Sequence, residues 1–282
     1  METIFIPTDL STHALEALRY GLQLCKAVTA KRLIFFNHNA QPLNAEIPIL
    51  YLDDLNAANQ EIAAQMKAEL KRQMSEAHLP DQIIETEIVV NSEPFGSAQA
   101  ITKAAQHYKA DLIVLGTHGK TGFQKFLYGS VTGGVLETST VPVLAIPPHY
   151  QFRPIGKIAY ASSLSYFTNE VKTILNFADD LFLQLEIIHV DYGLLSDNLI
   201  AHARRMLDKI NDSRIKLTIL PAVPTDSLNE NLKGYLQKGK PDWLVMFPAR
   251  REWFERLFLS SKNLELASYF RKPMLIIQKK DH

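Results

Sequence analysis

The chain has 282 residues, room for about two domains of ordinary size, and its apolar fraction of 46% can build a core in each. Its 30 basic and 30 acidic residues balance, which argues against an extended nucleic-acid or anionic-membrane surface but leaves room for one small anion site. The single cysteine, Cys25, excludes an internal disulfide and a cysteine-rich zinc site; no apolar run reaches the roughly 18 residues of a membrane span, and the opening METIFIPTD has no signal-peptide pattern, so a soluble cytoplasmic protein is expected.

Residues 3–11, TIFIPTDLS, read as an apolar strand entering a polar corner. Residues 12–28 follow as a helix with Ser11 as its N-cap and Leu15, Leu18, Leu22 and Cys25 as its inner stripe. Residues 33–38, LIFFNH, read as a strand buried on both faces. A longer helix over 53–78 carries Ile62, Met66, Leu70 and Met74 on one stripe, and a third helix covers 98–108. An Asp then leads the strand 111–115, DLIVL; a helix opens at 131–138, and a Pro-led strand closes at 142–146, PVLAI. Four of these landmarks recur in the same order at 157–165, 185–190, 242–246 and 273–277, ~130 to 155 residues further on, the period of a whole domain. Strands alternating with helical patterns predict an α/β fold with a parallel sheet in each half. The proline-flanked stretch 149–154 has no apolar stripe, so the domains are expected at 1–150 and 151–282.

Residues 116–132, GTHGKTGFQKFLYGSVT, carry the chemistry. They follow a buried strand and open a helix, where ligands of open α/β sheets bind. Gly116 and Gly119 let backbone approach an oxyanion closely. Gly129 and Ser130 sit at the helix start, where free N–H groups and the helix dipole favour phosphate. The hydroxyls of Ser130 and Thr132 are candidate further donors, and Lys120 and Lys125 candidate cations. A P-loop is excluded because its first glycine would fall at Val114, and no G-x-G-x-x-G follows the first strand. The alternative is that three glycines merely shape a surface loop.

Gly116, Gly119, Gly129 and Ser130 fit the pattern G-x2-G-x9-G-[ST], and the chain resembles the universal stress protein family at these positions. The opening IPTDLS resembles that family's first corner and PVLAIP its last strand; the second half resembles it more weakly. The resemblance implies tandem domains, each a five-stranded parallel sheet of order 3-2-1-4-5 with helices on both faces. It also implies ATP, with Mg²⁺ shared by its phosphates, on the loop of the first domain. Carried over by position, Pro7, Thr8 and Asp9 form the corner, where the family's Asp contacts the ribose and adenine region. His38 falls where the family usually has Val, lining the adenine pocket, and Asn37 where it usually has His. Leu115, Gly116, His118, Gly119, Gly129, Ser130, Val131 and Thr132 match the phosphate side. Gly133 and Gly134, in the first turn of the last helix, depart from helix preference by ~1 kcal/mol each, and nothing in the sequence accounts for them.

In the second half Gly116, Gly119 and Gly129 correspond to Phe247, Arg250 and Ser260, and Asp9 to Ser163. Phe247 is expected to fill the space a phosphate would need, making this half a non-binding copy. Arg250, Arg251 and Arg256 read as a solvated face. Cys25 reads as an inert core thiol. His13 and His118 lie near the expected pocket, with a surface role the alternative. No metal-ligand spacing, nucleophile elbow, zincin or kinase motif is present. Three functions follow: a nucleotide-responsive stress or signalling module, a slow ATPase, or a nucleotide-free interaction protein with a vestigial loop. The two halves are expected to form a pseudo-dimer through their final strands, the alternative being pairing between chains as a homodimer or larger assembly. The protein partner and stress signal are not legible.

Overall fold

The apolar run at the start of the chain forms β1 (Thr3–Pro7), in which Ile4, Phe5 and Ile6 are fully buried. It belongs to a computed structural model that describes residues 1–39, 52–79, 84–117, 130–178, 181, 183–193, 196–226, 228–247 and 272–278. The chain divides between Phe152 and Arg153 into two compact units.

In the first unit β1 is followed by α1 (Thr12–Ala27), β2 (Arg32–His38), α2 (Leu52–Glu76), β3 (Glu85–Asn91), α3 (Ser97–His107), β4 (Leu112–Gly116), α4 (Ser130–Thr138) and β5 (Val143–Ile146). The strands pair in parallel in the order β3-β2-β1-β4-β5. α1 starts where expected: Ser11 has extended backbone, and its hydroxyl accepts from the Ala14 N–H. Its buried face is broader than one stripe. Leu18, Leu22 and Cys25 are buried with Ala14, Ala17, Tyr20 and Leu24, whereas Leu15 is half-buried. Burial pushes the Cys25 thiol up to about 12, so it is an inert core group. On α2, Met66, Leu70 and Met74 are buried and Ile62 half-buried.

The glycine pair of α4 now divides into two cases. A Cβ on Gly134 would stand 2.7 Å from the Cβ of Ala98 on α3, so glycine there lets the α4 backbone pack directly on the Ala98 methyl. A Cβ on Gly133 would meet nothing within 4 Å.

The second unit contains β6 (Lys157–Ala161), α5 (Phe167–Ala178), β7 (Gln184–Asp191), α6 (Ser196–Ile210), β8 (Ile215–Pro221), α7 (Leu228–Gly239), β9 (Trp243–Met246) and β10 (Met274–Ile276). Its parallel order is β8-β7-β6-β9-β10. The repeated sequence landmarks have repeated jobs. Asp111 accepts the N–H groups of Glu2 and Thr3 at 2.7 and 3.0 Å, and Asp242 accepts those of Gly156 and Lys157 at 2.9 and 3.0 Å. Each Asp thus pins the start of its unit's first strand. The corner after that strand needs one left-handed residue in both units, Leu10 at φ 58° and Leu164 at φ 63°.

Candidate functional site

The order β3-β2-β1-β4-β5 reverses direction between β1 and β4, and the crevice outside the carboxyl ends of such strands is where open α/β sheets take ligands. The chain delivers Pro7, Thr8 and Asp9 to that edge from β1, Asn37 and His38 from β2, and Leu115, Gly116 and Thr117 from β4. The parallel ladders put all three strand ends on the same side.

The corner is built by short local bonds. Thr8 is buried; its N–H donates to the Phe36 carbonyl at 2.7 Å, and its hydroxyl accepts the Leu10 N–H at 3.0 Å. Asp9 Oδ1 accepts the Ser11 N–H at 2.9 Å, which holds the carboxylate at the mouth of α1. The corner is clamped from β2: Asn37 Nδ2 donates to the Thr8 carbonyl at 2.7 Å. In the second unit His189 Nδ1 makes the equivalent bond to the Ser162 carbonyl at 2.9 Å. A carbonyl only accepts, so His189 carries its proton on Nδ1. Asn37 and His189 therefore do one structural job with different side chains, and the clamp is a residue pair that sequence reading missed.

His38 is committed to its own unit. Its Nε2 lies 3.1 Å from the Glu93 carbonyl and must donate there, leaving Nδ1 to accept from the Ser97 hydroxyl at 3.0 Å. Its ring nitrogens tie β2 to the start of α3, so it would meet a ligand through ring carbon or backbone rather than as a hydrogen-bonding imidazole.

On the phosphate side, α4 opens at Ser130, whose side chain lies outside the described residues. The first N–H groups of a helix have no intrahelical partner, and those of Ser130, Val131 and Thr132 belong to this class. Thr132 is buried, and its hydroxyl donates to the Gly116 carbonyl at 2.9 Å. The single hydroxyl proton is therefore spent on tying α4 to the end of β4. In this structure the hydroxyl positions α4, and the backbone N–H groups at the helix start are further donors that face the crevice's edge without an intrahelical partner. Val131 is 39% exposed at this edge. His118, Gly119, Lys120, Lys125 and Gly129 lie outside the described residues, as do Arg250, Arg251, Arg256 and Ser260.

The second unit's edge has different chemistry. Ser163 stands in the place of Asp9 and accepts the Ser165 N–H at 3.4 Å, so the turn persists without its charge. Tyr160 replaces Ile6 beneath the crevice. Its hydroxyl donates to buried Glu170 and accepts from Ser162 at 3.0 Å. Burial, then the Glu170 charge, pushes the Tyr160 phenol well above its ordinary value, so it stays a neutral donor. Phe247, at the position of Gly116, packs edge-on against Tyr160 with ring centroids 5.5 Å apart. An aromatic pair over a buried carboxylate does not suit a polyanion.

A family model described as the universal stress protein family matches residues 1–147. Two universal stress proteins of Methanocaldococcus jannaschii resemble the chain. One is 31% identical over 146 residues, covering 51% of this chain and 80% of that protein. The other is 28% identical over 154 residues, covering 51% and 93%. Over the whole length, the fold is similar to the crystal structure of a universal stress protein from Archaeoglobus fulgidus. There the TM-score is 0.69 at 19% identity, covering 99% of this chain and 98% of that one.

Proposed function

We propose that this chain, which belongs to the universal stress protein family, binds one ATP in its first unit and acts as a nucleotide-responsive stress or signalling module. The observation that supports this most directly is the Thr132–Gly116 hydrogen bond of 2.9 Å. It anchors the donor-bearing start of α4 beside the crevice between β1 and β4. A helix start favours an anion by about 0.3–1 kcal/mol at an exposed site and up to about 2 kcal/mol when partly buried. The glycine pattern at 116, 119 and 129 would let the loop backbone add further N–H donors. Asp9 would meet the ribose and adenine region, with His38 beside it as a wall. Magnesium would arrive with the phosphates, where it neutralises their charge. Among the described residues no three His, Cys, Asp or Glu side chains converge as a ligand set.

The same proposal makes the second unit a partner surface whose final strand, 273–277, pairs with 141–146 of the first. Both strands are apolar and end their domains. Solution scattering should then return a compact particle, and two independently tumbling bodies would contradict it. A cytoplasmic setting goes with this reading, and no helix among the described residues is long and apolar enough to cross a membrane. Recovery of the protein in the envelope fraction would count against it.

Labelled ATP separates the functional classes. Incubated with the full chain, it should be retained intact in the presence of Mg²⁺. Steady release of phosphate would identify a slow ATPase instead. No retention would leave a nucleotide-free interaction protein.

A further inference from the structure

The last residues of the first unit form a short strap along α1. After β5 the chain passes Pro147 and Pro148 and reaches His149, at φ 59°. Such a left-handed conformation is strained for a non-glycine residue and is held by its surroundings. The holder is Glu16, in the second turn of α1. Its Oε2 accepts the His149 backbone N–H at 3.1 Å, and its Oε1 lies 3.0 Å from His149 Nδ1. His13 Nδ1 approaches Oε2 at 3.3 Å from the preceding turn. Burial raises the Glu16 carboxyl, but the His149 N–H and the two imidazoles outweigh it, and the group is held below its ordinary value. One turn further along α1, buried Tyr20 packs against Tyr150 and Phe152, with ring centroids 6.0 and 5.1 Å away. Phe152 is where the first unit ends.

The strap and the candidate site share α1. The helix is capped by Ser11, whose N–H is held by Asp9 of the corner. Glu16 and Tyr20 follow on the same rigid helix. We propose that residues 147–152 are a clasped strap, closed by Glu16 on His149 and by Tyr20 on Tyr150 and Phe152, and that nucleotide in the crevice tightens it through α1. This rests on the nucleotide reading above. A ligand that contacts the corner at the head of α1 and a strap docked on the next two turns hold the same helix, so each stabilises the arrangement the other needs without a change of shape. Coupling is reciprocal. The factor by which ATP disfavours strap opening is the factor by which an open strap weakens ATP binding.

The reporter is the backbone amide of His149, whose exchange with solvent measures strap opening. In the full chain without nucleotide, Glu16→Ala should speed that exchange by about tenfold or more. His149→Ala, at a side chain 81% exposed, should leave the fold intact and speed it by a smaller factor. Saturating ATP should slow the wild-type amide about fivefold or more, the usual lower range of coupling. Glu16→Ala should weaken ATP binding, read by calorimetry, by up to that same factor, in proportion to the population of open strap. Equal exchange in wild type and Glu16→Ala would overturn the clasp. Calorimetric binding of ATP with unchanged His149 exchange would overturn the coupling while leaving the nucleotide reading intact. Absence of calorimetric binding would overturn the nucleotide reading and the coupling together, and the Glu16→Ala comparison would still decide the clasp.

Discussion

Gly134→Val should destabilise the first unit by about 3 kcal/mol, while Gly133→Ala, one residue earlier, should stabilise it by about 1 kcal/mol. The two differ in what a side chain meets. At Gly134 the new Cβ would lie 2.7 Å from the Ala98 Cβ, and neither atom can swing aside because both are fixed to helix backbone. α3 and α4 must part, and valine adds two further methyl groups to the clash. At Gly133 a Cβ meets nothing within 4 Å, so alanine supplies only its better helix propensity and its smaller unfolded-state entropy. For a unit of this size each kcal/mol moves the midpoint by ~2–4 °C, so thermal melts of the full chain should separate the two variants clearly. Ala98→Gly should recover part of the Gly134→Val loss, since it removes the opposing atom. If both substitutions shift the midpoint in the same direction, the packing account of this pair is wrong. Because α4 also carries the proposed phosphate donors, Gly134→Val should weaken nucleotide binding as well.

Glu186→Ala should cost the second unit about 3 kcal/mol at neutral pH, the scale of breaking a buried ion pair. Glu186 is 4% exposed and is gripped by the Lys157 ammonium and the Tyr235 hydroxyl, with Thr218 Oγ1 at 3.4 Å. Truncation would strip the ammonium and two hydroxyls of the carboxylate they share. Burial raises the Glu186 carboxyl, but the bonds from Lys157 and Tyr235 outweigh it and hold the group below its ordinary value. A carboxyl depressed in the folded state contributes stability above its unfolded pKa, near 4.3, and loses it as the pH falls through the folded value. The gap between wild type and Glu186→Ala should therefore be full at pH 7 and shrink as the pH drops below about 4. Denaturant titrations at the two pH values measure it. A gap equally wide in acid would mean that packing, not the carboxylate, is responsible.

Much of this architecture is legible in the residues. Apolar runs such as 33–36 and 112–115, alternating with helical patterns, read as strands buried on both faces and form them, and Ser11 announces the start of α1 by its chemistry. What escaped depends on partners distant in sequence. Tyr20 and Leu24 broaden the buried face of α1 because that helix meets more than the sheet's first strand. Gly134 makes sense only against Ala98, 36 residues earlier. The Lys157–Glu186–Tyr235 cluster draws its members from β6, β7 and α7, and no spacing rule joins them. At the site, the glycine pattern and Asp9 were readable as a family resemblance. The division of labour was not: Asn37 clamps the corner, His38 spends its nitrogens on Glu93 and Ser97, and Thr132 spends its proton on Gly116. Hydroxyl and imidazole donors are assigned by geometry, which a linear pattern does not carry.

Calorimetric titration of ATP with Mg²⁺ into the full chain tests the central claim most directly. One site per chain is predicted, in the first unit, and it should disappear when Gly119 is replaced by leucine, which has neither glycine's conformational range nor its small volume. Two equivalent sites per chain, or binding that survives Gly119→Leu unchanged, would contradict it.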